Sequence, residues 1–236
     1  MAAWPVARQW VFHLRESAIY RAVRALRLVA LLFLSCGCGW VQAGAQNEEP
    51  LIDSVRTALS AAVAQLGPPE PVHANDAAAT AYTRWLQHTE ARLQTFLKSR
   101  ESQAHELSQT ALRREFLQTV WYESQRAGLD PSLVLGLIQV ESGFRKFAIS
   151  AAGARGYMQV MPFWTRVLSE GDASVLFQAQ ANLRFGCVIL RHYLQREGGD
   201  LTLALGRYNG SRGQLAYPQA VLSAQRAWGV EEKFNR

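Results

Sequence analysis

The sequence predicts an all-α protein, and three observations support that fold class. Apolar residues recur at spacings of three and four along most of the chain, as on one face of a helix. Period-two alternation between hairpin turns, which would indicate strands, is absent. Glycines and prolines fall between the periodic segments, where they end helices. The chain of 236 residues, 49% of them hydrophobic, can form one or two domains with a sizeable core.

The composition excludes several classes of protein. Charged residues make up 19% and aromatic residues 10%, which is unlike a disordered chain, and three cysteines are too few for a disulfide scaffold. The net charge of +6 first suggests a polyanionic partner. However, residues 1–45 hold five arginines against one glutamate, and the remainder has 20 basic and 18 acidic residues. We therefore do not expect nucleic acid to be a partner.

Residues 1–45 have the pattern of a secretory signal peptide. Basic residues up to Arg27 precede an apolar run over 28–35, and residues 43–45 (AGA) offer a cleavage site. The apolar run is shorter than the roughly 20 residues that cross a bilayer. We expect an exported, periplasmic protein, with an uncleaved membrane anchor as the alternative. Cleavage would leave Cys187 as the only thiol, and its apolar helical surroundings predict a buried position.

Residues 46–112 are predicted to be an N-terminal helical extension. An apolar face over 51–66 predicts one helix, and the Gly- and Pro-rich segment 67–71 predicts a stiff linker after it. A second apolar stripe, over roughly 76–112, predicts a longer helix. We expect this helix to pack on the domain that follows it. A solvated spacer or a partner-binding helix is the alternative.

Residues 113–228 are predicted to form a compact helical domain, with a tail over 229–236. A helix over 113–127 ends at the glycine that follows, and Asp130 then caps a helix with Pro131 at its first position. That second helix is apolar on nearly every face and should lie at the centre of the core. Further helices are predicted over 173–197, 200–208 and 217–228.

Glu141 is an ionisable residue at a position that the sequence predicts to be buried. It follows Val134, Leu137 and Ile138 by seven, four and three residues and therefore shares their predicted buried face. It also falls in the last turn of its helix, where the dipole disfavours a negative charge. Both effects raise the pKa of a carboxyl from its ordinary value of about 4.3, and a carboxyl that stays protonated can act as a general acid. The alternative is a side chain that turns into solvent or pairs with Arg145.

A loop with two glycines follows, over residues 153–162 (GARGYMQVMP). Glycines three apart allow the backbone to approach a ligand closely. Gln159 can present an amide to a polar ligand, and Met158 can make an apolar contact. Tyr208 and Asn209 add a ring and an amide at the end of a later helix. Such groups suit a sugar, which has polar hydroxyl and acetamido groups and apolar ring faces.

These motifs occur along the chain in the same order as the motifs of a known protein family. Residues 141–144 (ESGF), residues 153–162, Asn182-Leu183 with Gly186, and residues 207–210 (RYNG) together resemble the soluble lytic transglycosylase (SLT) domain, which is similar to goose-type lysozyme. The resemblance covers about residues 113–228 and leaves the first 112 residues uncovered. It implies a lysozyme-like α-helical fold and cleavage of the β-1,4 bond between N-acetylmuramic acid and N-acetylglucosamine in peptidoglycan.

The resemblance also implies one catalytic carboxyl and no cofactor. On that basis Glu141 protonates the glycosidic oxygen. As a carboxylate it then takes the proton of the muramic 6-hydroxyl, which closes on C1 to give a 1,6-anhydro end. Ser142 is expected to orient the acid through a hydrogen bond, and Asn182 to satisfy buried backbone groups. The expected substrate-binding residues are Ser142, Gly156, Met158, Gln159, Tyr208 and Asn209.

The motifs hold no second carboxylate near Glu141, whereas two-carboxylate glycosidases need a partner at a defined separation. The nearest later acids, Glu170, Asp172 and Asp200, are predicted to be helix caps or solvated loop residues. One alternative is a goose-type muramidase, which would use Glu141 but release a reducing end. Another is a non-catalytic module that binds the cell wall or assists assembly.

Two positions depart from the family pattern. Tyr157 stands where leucine is common and Arg207 where a small residue is common, so each could alter a subsite for sugar or stem peptide. Arg207 could hold an acidic stem peptide if it faces the cleft. No metal site is predicted, because the five histidines are scattered and form no His-x3-His pair. Peptidoglycan strands are the expected partner and a cell-envelope machine is a further candidate, while the oligomeric state stays open.

Overall fold

The computed structural model describes Gln46 and residues 75–99, 106–166 and 171–229, all within the unit Val41–Arg236. This part of the chain is helical, as predicted. Its helices are α1 Asp76–Lys98, α2 Thr110–Ala127, α3 Pro131–Glu141, α4 Phe163–Arg166, α5 Ala179–Arg196, α6 Leu201–Asn209 and α7 Ala216–Trp228. Short 3-10 turns occupy Glu106–Ser108 and Ala173–Phe177. Among the described residues, β-type pairing is limited to isolated bridges of Arg155 with Ile149 and Val160.

The predicted signal peptide, the helix over 51–66 and the linker over 67–71 lie outside the described residues. Within them, no helix combines the length and the apolar character needed to cross a membrane.

The helix predicted over 76–112 is wrong in its second half. α1 ends at Lys98, and Gln109 has extended backbone just before α2 begins. The break is stable because the buried guanidinium of Arg113 donates to the carbonyl oxygens of Leu107 and Ser108, at 3.0 Å each. These carbonyls therefore find partners without a continuous helix.

The predicted junction between the next two helices is confirmed. Gly128 ends α2 in the left-handed region, with φ of 64°, which glycine adopts at little cost. Asp130 caps α3, and its Oδ1 accepts a hydrogen bond from the backbone nitrogen of Ser132 at 2.8 Å. α3 is buried along most of its length.

The helix predicted over 173–197 is interrupted at Gln178, whose ψ of 124° is not helical. The interruption has a specific cause. The Leu176 carbonyl, just before the break, accepts a hydrogen bond from Asn182 Nδ2 at 2.8 Å, which stabilises the non-helical geometry. The segment therefore forms a 3-10 turn and a separate α5.

An ion pair is buried between α2 and α5. Arg184 donates from Nε and Nη2 to the carboxylate of Glu123 at 2.8–2.9 Å, and each side chain is 1% exposed. Removing one partner alone would leave an uncompensated buried charge. Cys187 is buried nearby, as predicted, and burial raises the pKa of its thiol well above the ordinary value.

α1 packs on the domain that follows it, as the sequence predicted. The ring of Trp121 in α2 lies 5.3 Å from that of Tyr82 and 4.8 Å from that of Trp85, between centroids. Farther along α1, the ring of Phe96 meets that of Phe144 at 5.3 Å. α1 therefore belongs to the same hydrophobic core as α2 and α3.

α3 and α7 make the most extensive helix contact in the described chain. The end of α3 meets the start of α7, and Gly136 faces Val221 and Gln225 farther along. A methyl group on Gly136 would lie 2.6 Å from the Gln225 nitrogen and 2.9 Å from the Val221 carbonyl oxygen. Both are backbone atoms, so only glycine allows the two helices to come this close.

Gly136→Ala is expected to destabilise the protein by about 1–3 kcal/mol, because the added methyl group must push α7 away from α3. Urea unfolding measures the change. Gly229→Ala is the matched control, since its φ is −60° and an added methyl group meets its nearest neighbour at 3.6 Å. Equal stability of the two variants would contradict the close packing.

Candidate functional site

Glu141 ends α3 and lies against the first turn of α7. It is 9% exposed, and its Oε1 accepts a hydrogen bond from the hydroxyl of Tyr217 at 2.5 Å. Tyr217 is 2% exposed. The predicted buried position of Glu141 is therefore confirmed. The alternative pairing with Arg145 is not what the structure gives, because Arg145 Nε donates to the Ser142 carbonyl oxygen at 2.8 Å.

Burial raises the pKa of Glu141 from 4.5 to about 8, and the hydrogen bond from Tyr217 opposes part of that rise. A hydroxyl that donates to a carboxylate stabilises the charged form, whereas loss of hydration destabilises it. For Glu141 the loss of hydration has the larger effect on the pKa. Glu141 therefore carries its proton at neutral pH while remaining able to release it.

Ser142 does not have the role expected from the sequence. Its hydroxyl donates to the Ile138 carbonyl oxygen at 3.2 Å, one helical turn back. Tyr217 instead supplies the hydrogen bond to Glu141. The sequence predicted a helix over 217–228 but carried no sign that its first residue would meet a residue 76 positions earlier.

Gly156, Met158 and Gln159 lie on a tight loop whose polar groups are largely used within the loop. Gln159 Nε2 donates to the carbonyl oxygens of Gly156 at 2.9 Å and Ala148 at 3.1 Å, and the residue is 4% exposed. Gly156 has φ of 75°, and a methyl group there would lie 2.4 Å from Asn182 Nδ2. The structure thus assigns Gly156 and the amide nitrogen of Gln159 to support of the loop.

Asn182 holds this loop in place, as expected. Its Oδ1 accepts from the Met158 nitrogen at 2.8 Å, and its Nδ2 donates to the carbonyl oxygens of Arg155 and Leu176. Gly186, one turn later on α5, leaves room for the Met158 side chain, because a methyl group there would lie 2.4 Å from Met158 Sδ. α5 therefore positions Met158 in two ways. The Asn182 side chain binds the Met158 backbone, and Gly186 makes room for the Met158 side chain.

Tyr208 brings α6 to the same loop. Its hydroxyl donates to the Met158 carbonyl oxygen at 2.8 Å, and the ring is 1% exposed. Burial, and then the nearby charge of Glu141, raise the pKa of Tyr208 well above its ordinary value. Tyr208 thus lies within electrostatic reach of Glu141. Asn209 is buried beside it and donates from Nδ2 to Ser211 Oγ at 3.0 Å.

A further buried polar residue next to this loop, Gln46, was not predicted from the sequence. It is 4% exposed, and its Oε1 accepts hydrogen bonds from Trp164 Nε1 at 2.8 Å and from the Met161 nitrogen at 3.3 Å. More than 110 residues separate Gln46 from each of these partners along the chain.

The two departures from the family pattern make internal contacts. The hydroxyl of Tyr157 donates to Glu106, which also pairs with Lys146 at 3.3 Å. Arg207 donates to Glu197 Oε1 at 2.6 Å. Hydrogen bonds from Arg212 and then Arg207 hold the pKa of Glu197 at about 2, so Arg207 shares this one carboxylate with Arg212.

The other acidic candidates near the motifs are caps where the structure describes them. Asp172 Oδ1 accepts from the Ser174 nitrogen at 2.8 Å, and Asp200 Oδ1 accepts from the Leu203 nitrogen at 2.9 Å. These predictions are confirmed, and Glu170 lies outside the described residues. In the ranges 75–99, 106–166 and 171–229, no three His, Cys, Asp or Glu side chains are grouped to hold a metal ion.

Tyr217→Phe is expected to raise the pKa of Glu141 above about 8, because it removes the hydrogen bond that favours the carboxylate. NMR titration of carboxyl-labelled glutamate measures this directly. Tyr122→Phe, on α2, is the matched control and should leave the titration of Glu141 unchanged. A pKa that stays the same or falls in Tyr217→Phe would contradict the assigned hydrogen bond.

Glu141→Gln is expected to remove a pH dependence of stability. The folded protein binds the Glu141 proton more tightly than the unfolded chain does. Wild type should therefore lose up to about 1.4 kcal/mol per pH unit, relative to the variant, as pH rises from 4.5 towards about 8.

Urea unfolding of wild type and variant across this range tests the prediction. Glu115→Gln, at an exposed position on α2, should behave like wild type. Parallel stability curves for wild type and Glu141→Gln would contradict the raised pKa.

Comparison with known proteins finds a family model that covers this site. Residues 118–227 match the Transglycosylase SLT domain. A transglycosylase of Enterobacteria phage PRD1 is 34% identical over 115 residues, which are 46% of this chain and 42% of the phage protein. Membrane-bound lytic murein transglycosylase C of Mannheimia succiniciproducens is 51% identical over 49 residues, 21% of this chain and 14% of that protein.

Among solved structures, an inactive mutant of the lytic transglycosylase Slt from Pseudomonas aeruginosa matches with 25% identity and a TM-score of 0.42. That match covers 47% of this chain and 23% of the Pseudomonas chain. The chain thus spans less than half the length of each of these relatives. The matched segment contains Glu141, Tyr217 and the loop that Asn182 holds, and the expected resemblance to the transglycosylase SLT domain is confirmed for residues 118–227.

Proposed function

We propose that this domain is a peptidoglycan lytic transglycosylase that cleaves the β-1,4 bond between N-acetylmuramic acid and N-acetylglucosamine. The observation that carries the proposal is the state of Glu141. Its carboxyl is buried, has a pKa of about 8 and accepts a hydrogen bond from Tyr217. A carboxyl that is protonated at neutral pH and still able to ionise suits a group that first donates a proton and then accepts one.

In the proposed reaction, Glu141 gives its proton to the glycosidic oxygen as the bond to C1 of the muramic residue breaks. The N-acetylglucosamine then leaves as an alcohol. The resulting carboxylate takes the proton of the muramic 6-hydroxyl, and O6 bonds to C1. The product carries a 1,6-anhydro ring, Glu141 is protonated again, and no water is consumed.

One carboxyl is enough for this reaction, and the surroundings of Glu141 agree with that. Among the described residues, the influences on its pKa are burial and the hydrogen bond from Tyr217, and neither is a neighbouring carboxylate. A glycosidase with two carboxylates would hold the second at a short, defined separation. Tyr217 has a further part in the proposal, because its hydrogen bond supports the carboxylate formed after the first step.

The proposed substrate-binding residues fall into two groups. Met158, Tyr208 and Asn209 are the residues that we propose to contact the glycan. The side chains of Ser142 and Gln159 make internal hydrogen bonds, and Gly156 has no room for a side chain. These three residues would therefore act on the glycan through their backbone groups and through the shape of the loop. An exported, periplasmic protein that acts on the cell wall agrees with the predicted signal over 1–45, and a cell-envelope machine is a candidate partner.

Digestion of purified peptidoglycan sacculi tests the reaction. Mass spectrometry of the released fragments should find 1,6-anhydro ends, which are lighter by one water than hydrolysed ends. Glu141→Gln should abolish release, because the amide cannot give or take the proton. Glu115→Gln is the control for loss of a carboxyl elsewhere and should digest sacculi like wild type.

Other products would overturn the proposal. Reducing ends in place of anhydro ends would indicate a muramidase that uses the same Glu141. Binding to sacculi without release, equal in wild type and Glu141→Gln, would indicate a wall-binding module.

A further inference from the structure

Two large apolar side chains are exposed on the loop that follows Glu141. Phe147 is 69% exposed and Ile149 is 64% exposed. The ring of Phe147 meets the half-buried ring of Phe177, with 5.7 Å between centroids. Contiguous apolar groups on a protein surface, unlike single exposed residues, mark interaction sites.

Arg155 joins these side chains into one patch. Its backbone pairs with that of Ile149 in an antiparallel bridge, so the two side chains leave the backbone on the same face. The guanidinium carbon of Arg155 lies 5.7 Å from the ring centroid of Phe177. We refer to Phe147, Ile149, Arg155 and Phe177 as the 147–177 patch.

The guanidinium of Arg155 has hydrogen-bonding capacity to spare. Among the described residues, Arg155 Nε has no hydrogen-bond partner. Lys146, the other cation beside the patch, already pairs with Glu106 at 3.3 Å. Hydrogen bonds from Ser174, and then the charge of Arg155, lower the pKa of Asp172, whose two carboxylate oxygens both serve Ser174. A carboxylate on a ligand would therefore supply the acceptor that Arg155 lacks.

Hydrogen bonds connect this patch to the loop that carries predicted substrate-binding residues. The carbonyl oxygen of Ala148, within the patch, accepts from the Gly156 nitrogen at 2.9 Å and from Gln159 Nε2 at 3.1 Å. Phe147 follows Glu141 by six residues, so their Cα atoms are separated by at most about 22 Å. A strand bound against that loop would hold its substituents near the patch.

We infer that the 147–177 patch binds the acidic stem peptide that peptidoglycan carries on its muramic residues. The inference rests on the proposed function, which brings a peptidoglycan strand to the adjoining loop. The stem is a short peptide with methyl groups and free carboxylates. Its methyl groups would pack on the apolar side chains, and a carboxylate would pair with Arg155. Arg207, the candidate from the sequence for this role, donates instead to Glu197 at 2.6 Å.

Two glycan substrates that differ only in the stem test this role. One is a soluble peptidoglycan strand with its stems, and the other is the same strand after an amidase has removed them. Arg155→Gln should lower kcat/KM for the stem-bearing strand about tenfold relative to that for the stem-free strand, because one charge-assisted hydrogen bond is lost. Phe147→Ser should shift the ratio of the two rates in the same direction.

Titration with the free stem peptide gives a second readout that does not depend on cleavage. In NMR spectra of wild type, the peptide should move the Nε–H signal of Arg155 and the ring signals of Phe147. Arg155→Gln should bind the peptide about tenfold more weakly. The same peptide with its carboxyl groups amidated is the matched control, and it should bind wild type as weakly as the natural stem binds the variant.

Arg84→Gln, at an exposed position on α1, is the matched control for loss of an arginine and should keep the wild-type ratio of rates. If Arg155→Gln does not fold, Phe147→Ser decides, because its side chain is exposed. An equal loss on both strands, no loss on either, or no binding of the free stem would overturn the inference.

Two further outcomes are distinguishable from these. Binding to phosphatidylglycerol vesicles that is lost in Phe147→Ser, with no binding of the free stem, would overturn the inference in favour of a membrane-docking surface. If wild type cleaves neither strand, the proposed function fails, and the titration with free stem peptide still decides whether the patch binds it.

Discussion

The backbones of α3 and α7 approach each other at Gly136 with no room for a side chain between them. This contact has two results. It encloses the apolar face of α3, and it brings the first turn of α7 over the end of α3, where Glu141 would otherwise face solvent. Burial of the carboxyl and its hydrogen bond with Tyr217 are both consequences of this one helix pair. The unusual pKa of Glu141 is thus a property of how two backbones pack.

The remaining predicted site residues are held in place by buried hydrogen bonds. Asn182 holds the Met158 nitrogen, and Tyr208 holds the Met158 carbonyl oxygen. Gln46 accepts hydrogen bonds from the Met161 nitrogen and from Trp164 Nε1. Low exposure makes each of these bonds costly to lose and gives the loop one well-defined shape. A fixed loop beside a proton-transferring group suits a reaction that depends on orientation.

Whether a feature could be predicted from the sequence depended on how far apart the interacting residues are along the chain. The burial of Glu141 follows from its spacing within one helix, and the cap at Asp130 follows from its immediate neighbours. Tyr217 and Gln46 could not be predicted, because their partners are 76 and more than 110 residues away and are chosen by tertiary packing. The role assigned to Ser142 failed for a related reason. A hydroxyl in the last turn of a helix can bond back to its own backbone, and here it does so.

The contact between Tyr157 and Glu106 crosses the border of the segment recognised by similarity. Tyr157 is 1% exposed and lies within residues 118–227, whereas Glu106 precedes them, as do Arg113 and the whole of α1. A protein trimmed to the matched residues would bury a phenol hydroxyl without its acceptor and uncover the aromatic rings that α1 shields. The segment recognised by similarity is therefore smaller than the packed unit, so its stability depends on α1 and the residues that join α1 to α2.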